Sequence, residues 1–196
     1  GSIVGEVLVN DPGVAALSFT GSVGTGRAIA AKAVARMAKV QLEMGGKNPL
    51  VVLDDADLPT AVNAAIQGAY YSTGQRCTAS SRLVVTAGIH DRFVAAMTDK
   101  LKSLKVDDAL APGTDTGPVV DPSQLEQDLR YIEIGKSEGA RLSAGGERLT
   151  RDKEGYYLSP ALFTGARGSS DRFQMRTVNL PRAYLSHGGQ ERSGRR

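Results

Sequence analysis

Leu50-Val-Val-Leu53 is an apolar run too short for a helix and bounded by turn formers, so it reads as a buried strand. Asp54-Asp55-Ala56-Asp57 then supplies a cap. Pro59 falls in the first turn of a helix that Ala61, Ala64, Ala65, Gly68 and Ala69 keep narrow, and that runs from Asp57 to Tyr71. Arg82 to Thr86 is a further strand. Strand, helix and strand in succession imply an α/β fold. Glu43, a carboxylate before the pair Gly45-Gly46, and Cys77, the single thiol, stand at the two ends of this unit.

The same grammar appears upstream. Val14 to Phe19 reads as a buried strand, and Phe19-Thr20-Gly21-Ser22-Val23-Gly24-Thr25-Gly26 turns directly into an alanine-rich helix over 27–37. Its apolar stripe is Ile29, Ala33 and Met37. A strand entering a helix through such a turn gathers unpaired backbone N–H groups at the positive helix end, where anions and above all phosphates bind. The spacing Gly-x-x-Gly-x-Gly is not the dinucleotide fingerprint, and a plain tight turn explains it equally well. Lys39 to Leu42 forms a short strand with Glu43 at its end, although a lone glutamate is usually a solvated charge.

Downstream, Ile89 to Leu104 is an amphipathic helix with Phe93, Met97, Leu101 and Leu104 on one face. Asp121 caps another, with Pro122 at its first position and Leu125, Leu129 and Ile132 buried. Gly145-Gly146 marks a turn. Residues 155–164 are extended, with Pro160 keeping them from a regular central strand.

With 196 residues the chain can bury a core, and 41% apolar with 23% charged residues fits a soluble globular protein. No apolar stretch approaches the ~18 residues of a membrane span, and Gly1 to Glu6 shows no signal-peptide pattern. One cysteine excludes an internal disulfide and fits a reducing compartment, so the cytoplasm is the default. The net charge of +3 belongs to one segment: residues 166–196 carry seven arginines against Asp171 and Glu191, leaving the body mildly acidic. Scattered arginines without interleaved aromatics make a poor nucleic-acid reader. The composition break after Gly165 predicts a solvated tail that does not share the core.

Cys77 carries the strongest chemical signal. A thiol is the best protein nucleophile near neutral pH, and Arg76 or a helix N-terminus beside it would favour the thiolate. A lone cysteine is also commonly a buried structural residue, but polar, glycine-containing surroundings are unusual for a core thiol. A cysteine-protease arrangement needs a histidine base. His90, expected as a capping or surface residue, and His187, in the arginine-rich segment, lack that context, and no zinc set can be assembled.

Phe19-Thr20-Gly21-Ser22, Leu42-Glu43-Met44-Gly45-Gly46-Lys47-Asn48-Pro49 and Gly74-Gln75-Arg76-Cys77 closely resemble the aldehyde dehydrogenase superfamily. The likeness runs from about residue 3 to 165 and includes Asp115 to Val119 and Gly155 to Phe163. It resembles most the enzymes that oxidise sugar-derived semialdehydes such as 2-oxoglutarate semialdehyde.

The resemblance implies that Cys77 attacks an aldehyde to give a thiohemiacetal. Hydride then passes to NAD or NADP, and Glu43 activates the water that hydrolyses the resulting thioester. It implies that the Cys77 backbone N–H is half of an oxyanion hole. Ser22 and the turn of Gly21, Val23, Gly24, Thr25 and Gly26 would hold the pyrophosphate, with Gly45 beside the nicotinamide. It divides the chain into the end of a Rossmann-like nucleotide-binding domain (1–43), the first part of a catalytic domain (44–165) and an atypical tail (166–196).

Family members are much longer. The second oxyanion donor, the lysine and acid that grip the adenosine ribose, and the Glu-x-Phe-Gly-Pro motif expected soon after Phe163 are not matched here. The expectation is therefore an incomplete, weakly active or inactive form of a homo-oligomeric enzyme; the competing readings are a non-catalytic interaction module, or a thiol that acts without cofactor. Val178-Asn179 and Gly188-Gly189…Ser193-Gly194 faintly echo the family's C-terminal pattern, so a deletion and a shifted reading frame explain the tail equally well.

Overall fold

The computed structural model describes residues 2–166 and the backbone of residues 182–187. The chain divides into two compact units, Gly1–Gly46 and Lys47–Arg196, against the division at 43/44 expected from the resemblance.

The first unit runs α1 (Ser2–Asn10), β1 (Ala16–Gly21), α2 (Val23–Ala35) and β2 (Lys39–Met44). The strands pair in parallel, with Phe19 opposite Leu42, Thr20 opposite Glu43 and Gly21 opposite Met44. Leu17, Phe19, Val40 and Leu42 are half-buried and alternate with exposed Ser18, Thr20, Gln41 and Glu43. That alternation corrects the buried strand expected at Val14–Phe19: in this two-stranded sheet the exposed residues share one face, so the strand is buried on one side at most.

Helix α2 also differs from its expectation. It starts at Val23, four residues early, because Ser22 caps it by accepting from the Thr25 N–H at 3.2 Å. It stops at Ala35, where Met37 takes φ 58° and the bonds Met37 N–H→Val34 O and Ala38 N–H→Ala33 O close a Schellman motif. Met37 is 90% exposed and leaves the expected apolar stripe. Helix α1 was not anticipated at all.

In the second unit β3 (Asn48–Val52), β4 (Ser80–Val85), β9 (Arg182–His187), β8 (Ala161–Thr164) and β5 (Arg141–Ala144) form one sheet in that order. All pairs are parallel except β5 with β8. Arg182–His187 thus enters the middle of the sheet, which corrects the expectation that everything after Gly165 stays outside the fold. Tyr184 provides β propensity locally, and an average over the arginine-rich segment hid it. The remaining residues of that segment, with the faint motifs at 178–179 and 188–194, lie outside the described residues. Ala161–Thr164 is also an interior strand; Pro160 ends before it rather than interrupting it.

Helices α3 (Leu58–Ala69) and α4 (Ala87–Ser103) bury Ile66, Phe93 and Met97 with Leu83 and Leu162 of the sheet. Helix α5 (Pro122–Ser137) seals Leu125 and Ile132 with Phe163, the neighbour of Leu162 and therefore on the opposite side of β8. Asp57 and Asp121 cap α3 and α5 as their positions predict. A two-stranded ribbon, β6 (Arg148–Leu149) with β7 (Tyr157–Leu158), completes the unit. His90 is buried, not a surface residue, and meets Asp91 at 2.8 Å.

Candidate active site

The site residues expected from the sequence fall into two groups, one in each unit. In the first unit they gather at the carboxyl ends of β1 and β2, the end at which parallel α/β sheets accept ligands. Gly21 closes β1, Ser22 caps α2, and Glu43 lies opposite Thr20 one residue before β2 ends at Met44. Glu43 is therefore within the strand rather than just beyond it. It is exposed, on the side of the sheet away from Phe19 and Leu42.

The glycines of the turn have three different reasons to be there. A Cβ on Gly21 would come within 2.6 Å of the Phe19 ring. One on Gly26 would come within 2.5 Å of the Met44 sulfur. Gly24 has nothing within 4 Å, and its φ is not positive, so neither packing nor backbone geometry calls for glycine there. Packing against Phe19 and Met44 therefore accounts for glycine at positions 21 and 26. Capping consumes the Thr25 N–H, and the Gly26 N–H bonds Ser22 O at 2.9 Å. The N–H groups of Val23 and Gly24 are left without intrahelical partners at the helix start. Beside them a cleft of about 670 Å³ opens between α1 and α2, walled by Gly5, Val9, Phe19, Ala28 and Ile29. Glu6 pairs with Lys32 at its rim, and Lys32 together with Asn10 holds the Glu6 carboxyl below the usual range.

Cys77 belongs to the second unit and is exposed. It occupies the connection from α3 to β4, at the amino ends of β3 and β4. No helix starts there, and the Arg76 guanidinium donates to the Gln67 carbonyl at 2.5 Å, near the end of α3, so neither expected neighbour is arranged for the thiol. The turn itself is tightly specified. Ser72, Thr73 and Gly74 take successive left-handed conformations, with φ of 56°, 52° and 65°. Such a conformation is costly for a β-branched residue like Thr73, which is buried. The Ala79 N–H then closes on the Arg76 carbonyl at 2.9 Å. Asn48, at the first position of β3, donates from Nδ2 to the carbonyls of Cys77 (2.8 Å) and Ala79 (3.2 Å). Sequence reading placed Asn48 inside a motif but gave it no task; the only signal was the Asn-Pro pair. It likewise missed the α1 side of the cleft, because α1 was not foreseen.

A model of the aldehyde dehydrogenase family matches residues 1–176. The chain belongs to the aldehyde dehydrogenase family. It is 49% identical over 165 residues to the alpha-ketoglutaric semialdehyde dehydrogenase of Bacillus subtilis (strain 168), an alignment covering 83% of this chain and 34% of that protein. It is 44% identical over 160 residues to a betaine aldehyde dehydrogenase of Sinorhizobium fredii, covering 81% and 33%. Among solved structures, betaine aldehyde dehydrogenase from Staphylococcus aureus in complex with NAD+ superposes with a TM-score of 0.90 at 35% identity, covering 95% of this chain and 37% of that one. Lactaldehyde dehydrogenase from Escherichia coli gives 0.88 at 32% identity, covering 95% and 39%. The chain thus spans about a third of the length of the curated relatives it matches. Its α/β units are those of part of an aldehyde dehydrogenase fold. Among the described residues no helix is long and apolar enough to cross a membrane, and no cluster of three or more metal-ligating side chains occurs.

Proposed function

We propose that this chain carries the nucleophile, the general base and part of the cofactor cradle of an enzyme that oxidises an aldehyde to a carboxylic acid with NAD(P)+. The observation that carries the reading is the exposure of the single thiol on a turn whose backbone is tied down on both sides of it. A sulfur displayed in this way can reach a carbonyl carbon, whereas a core thiol cannot.

The Cys77 thiolate adds to the aldehyde carbon and forms the C–S bond of a thiohemiacetal, whose oxyanion accepts from the Cys77 backbone N–H. NAD(P)+, held by the first unit, would supply the hydride acceptor needed to oxidise this carbon to the thioester level. Glu43 then takes a proton from water as the water attacks the thioester, which releases the acid and restores the thiolate.

The first unit suits the cofactor. Val23 and Gly24 offer N–H groups at a helix start, Ser22 adds its cap, and the unexplained space at Gly24 admits a close anion; these residues would hold the pyrophosphate. The cleft walled by Val9, Ala28 and Ile29 would take an apolar ring such as the nucleotide base, and Gly45 would stand beside the nicotinamide. The substrate class we favour is a carboxylate-bearing semialdehyde, because the relative at 49% identity is named for one. We extend the reading to a cytoplasmic homo-oligomer.

Since the chain spans about a third of its relatives, the 196 residues by themselves are expected to turn over slowly. Losing one oxyanion donor costs ~100 to 1,000-fold. The test is formation of reduced cofactor from 2-oxoglutarate semialdehyde and from betaine aldehyde, with ester hydrolysis in the absence of cofactor run in parallel. Loss of both in Cys77→Ala supports the reading. Ester hydrolysis alone, lost in the same variant, leaves a working nucleophile without cofactor use. A folded wild type silent in both points to the non-catalytic interaction module.

A further inference from the structure

We propose that Asn48 is the positioning residue for Cys77, its single amide group fixing both peptide planes that flank the nucleophile's Cα. The inference rests on the covalent role of Cys77 proposed above.

The plane after Cys77 contains the Cys77 carbonyl, which accepts directly from Asn48 Nδ2 at 2.8 Å. The plane before it contains the Arg76 carbonyl and the Cys77 N–H. That carbonyl accepts from the Ala79 N–H at 2.9 Å, and Ala79 is in turn held through its own carbonyl by Asn48 Nδ2 at 3.2 Å. One side chain therefore restrains φ and ψ of Cys77 together, and with them the direction of the Cα–Cβ bond that carries the sulfur and of the N–H that would meet an oxyanion.

Both partners of the amide are carbonyl oxygens, which only accept, so the NH2 end of Asn48 must face them. The backbone of Asn48 is also set in advance. Pro49 follows it and confines it to extended conformations, and the ladder slips at this point, Asn48 pairing with Ser80 and Pro49 with Arg82. That irregularity at the start of an edge strand re-aims one side chain across to the neighbouring turn. Arg82 ties down the adjoining Lys47 carbonyl from Nη2 at 2.9 Å, so the segment carrying Asn48 is itself anchored.

Aspartate at position 48 keeps the size of the side chain but sets an acceptor against two carbonyl oxygens. Alanine removes the clamp without repulsion. The test compares two reactions of Cys77 in the full chain: the pre-steady-state burst of acylation by p-nitrophenyl acetate, which develops an oxyanion, and alkylation by iodoacetamide, which does not. Asn48→Ala is expected to slow acylation about tenfold, the scale of one lost hydrogen bond in a rate, and Asn48→Asp more. Alkylation should stay within about twofold in both. A wild-type burst that neither substitution slows would overturn the inference and leave the catalytic reading standing. So would equal losses in both reactions, which mark a turn that has merely collapsed. A wild type with no Cys77-dependent burst takes down the catalytic reading itself, and this inference with it.

Discussion

The two units of the chain hold their candidate site residues in different ways. The second unit seals Tyr70, Leu83, Phe93, Met97 and Leu162 completely and suspends the Cys77 turn from strands that this core supports. In the first unit, among the described residues, only Val9, Gly26 and Ala33 are buried, while Ile3, Val4 and Val7 on α1 are 83%, 66% and 64% exposed. Its geometry is nevertheless definite: parallel strands in register, a capped helix and a Schellman end. Capping by Ser22 and the close packing of Gly21 and Gly26 on Phe19 and Met44 shape the glycine turn, whereas hydrogen bonds from Asn48 and Ala79, on strands backed by a sealed core, hold the Cys77 turn. A site built on local contacts should lose binding under small local changes; one hung from a core should fail only when the core or the clamp does.

The largest contrast is expected from core truncation. Phe93→Ala removes a fully buried ring of the second unit and should cost about 3 to 5 kcal/mol, whereas Leu17→Ala on the half-buried face of β1 should cost about 1 kcal/mol or less. Urea unfolding read by hydrogen exchange in each unit separately would check this, and similar costs would erase the distinction between the units.

Next in size is the pair of turn glycines. Gly26→Ala drives a methyl group against the Met44 sulfur and the Phe19 ring and should destabilise the first unit by about 1 to 3 kcal/mol. Gly24→Ala meets nothing and replaces a helical glycine, so it should stabilise that unit by up to ~1 kcal/mol. Titration with NAD+ should nevertheless show weaker binding to the Gly24→Ala protein. Unchanged affinity would mean that the open space at Gly24 has nothing to do with a ligand.

The division into strands and helices was legible because periodicity and caps agree with packing over most of the second unit. Asp57 with Pro59, Phe93 with Met97, and Asp121 with Pro122 all stand where their chemistry puts them. The run Leu50–Leu53 forms a strand as expected but is not buried throughout: it lies at the sheet edge, with Val51 and Leu53 exposed. What stayed hidden depends on partners distant in sequence. The burial of His90 and the interior place of Arg182–His187 are tertiary facts that no local window contains. Helix α1 has neither an acidic first turn nor a basic last one to announce it. The glycine turn was visible, but the separate causes of Gly21, Gly24 and Gly26 emerge only when Phe19 and Met44 have positions. Cys77 and Glu43 were readable as candidates from chemistry and motif, whereas the clamp from Asn48 requires β3 and β4 to be side by side.

The smallest effect is electrostatic. Bonding to Thr60 lowers the Asp57 carboxyl below its ordinary range, and bonding to Ser123 and Gln124 does the same for Asp121. A folded pKa below the unfolded one means that these caps contribute above about pH 4 and lose their contribution as the pH falls through the folded value. Both carboxyls belong to the second unit, so acid should loosen the starts of α3 and α5. Circular dichroism of Asp57→Asn and Asp121→Asn as a function of pH would show it: the asparagine variants should lose the acid-dependent step, and its persistence would assign the step to other groups.

The most direct test of the central claim is peptide-resolved mass spectrometry of the acylated protein, taken within seconds of mixing with p-nitrophenyl acetate. An acetyl group on the peptide containing Cys77, longer-lived in Glu43→Gln than in the wild type, is the expected result. Acetylation absent from Cys77, or decaying at the same rate with and without the Glu43 carboxylate, would contradict the roles proposed for these two residues.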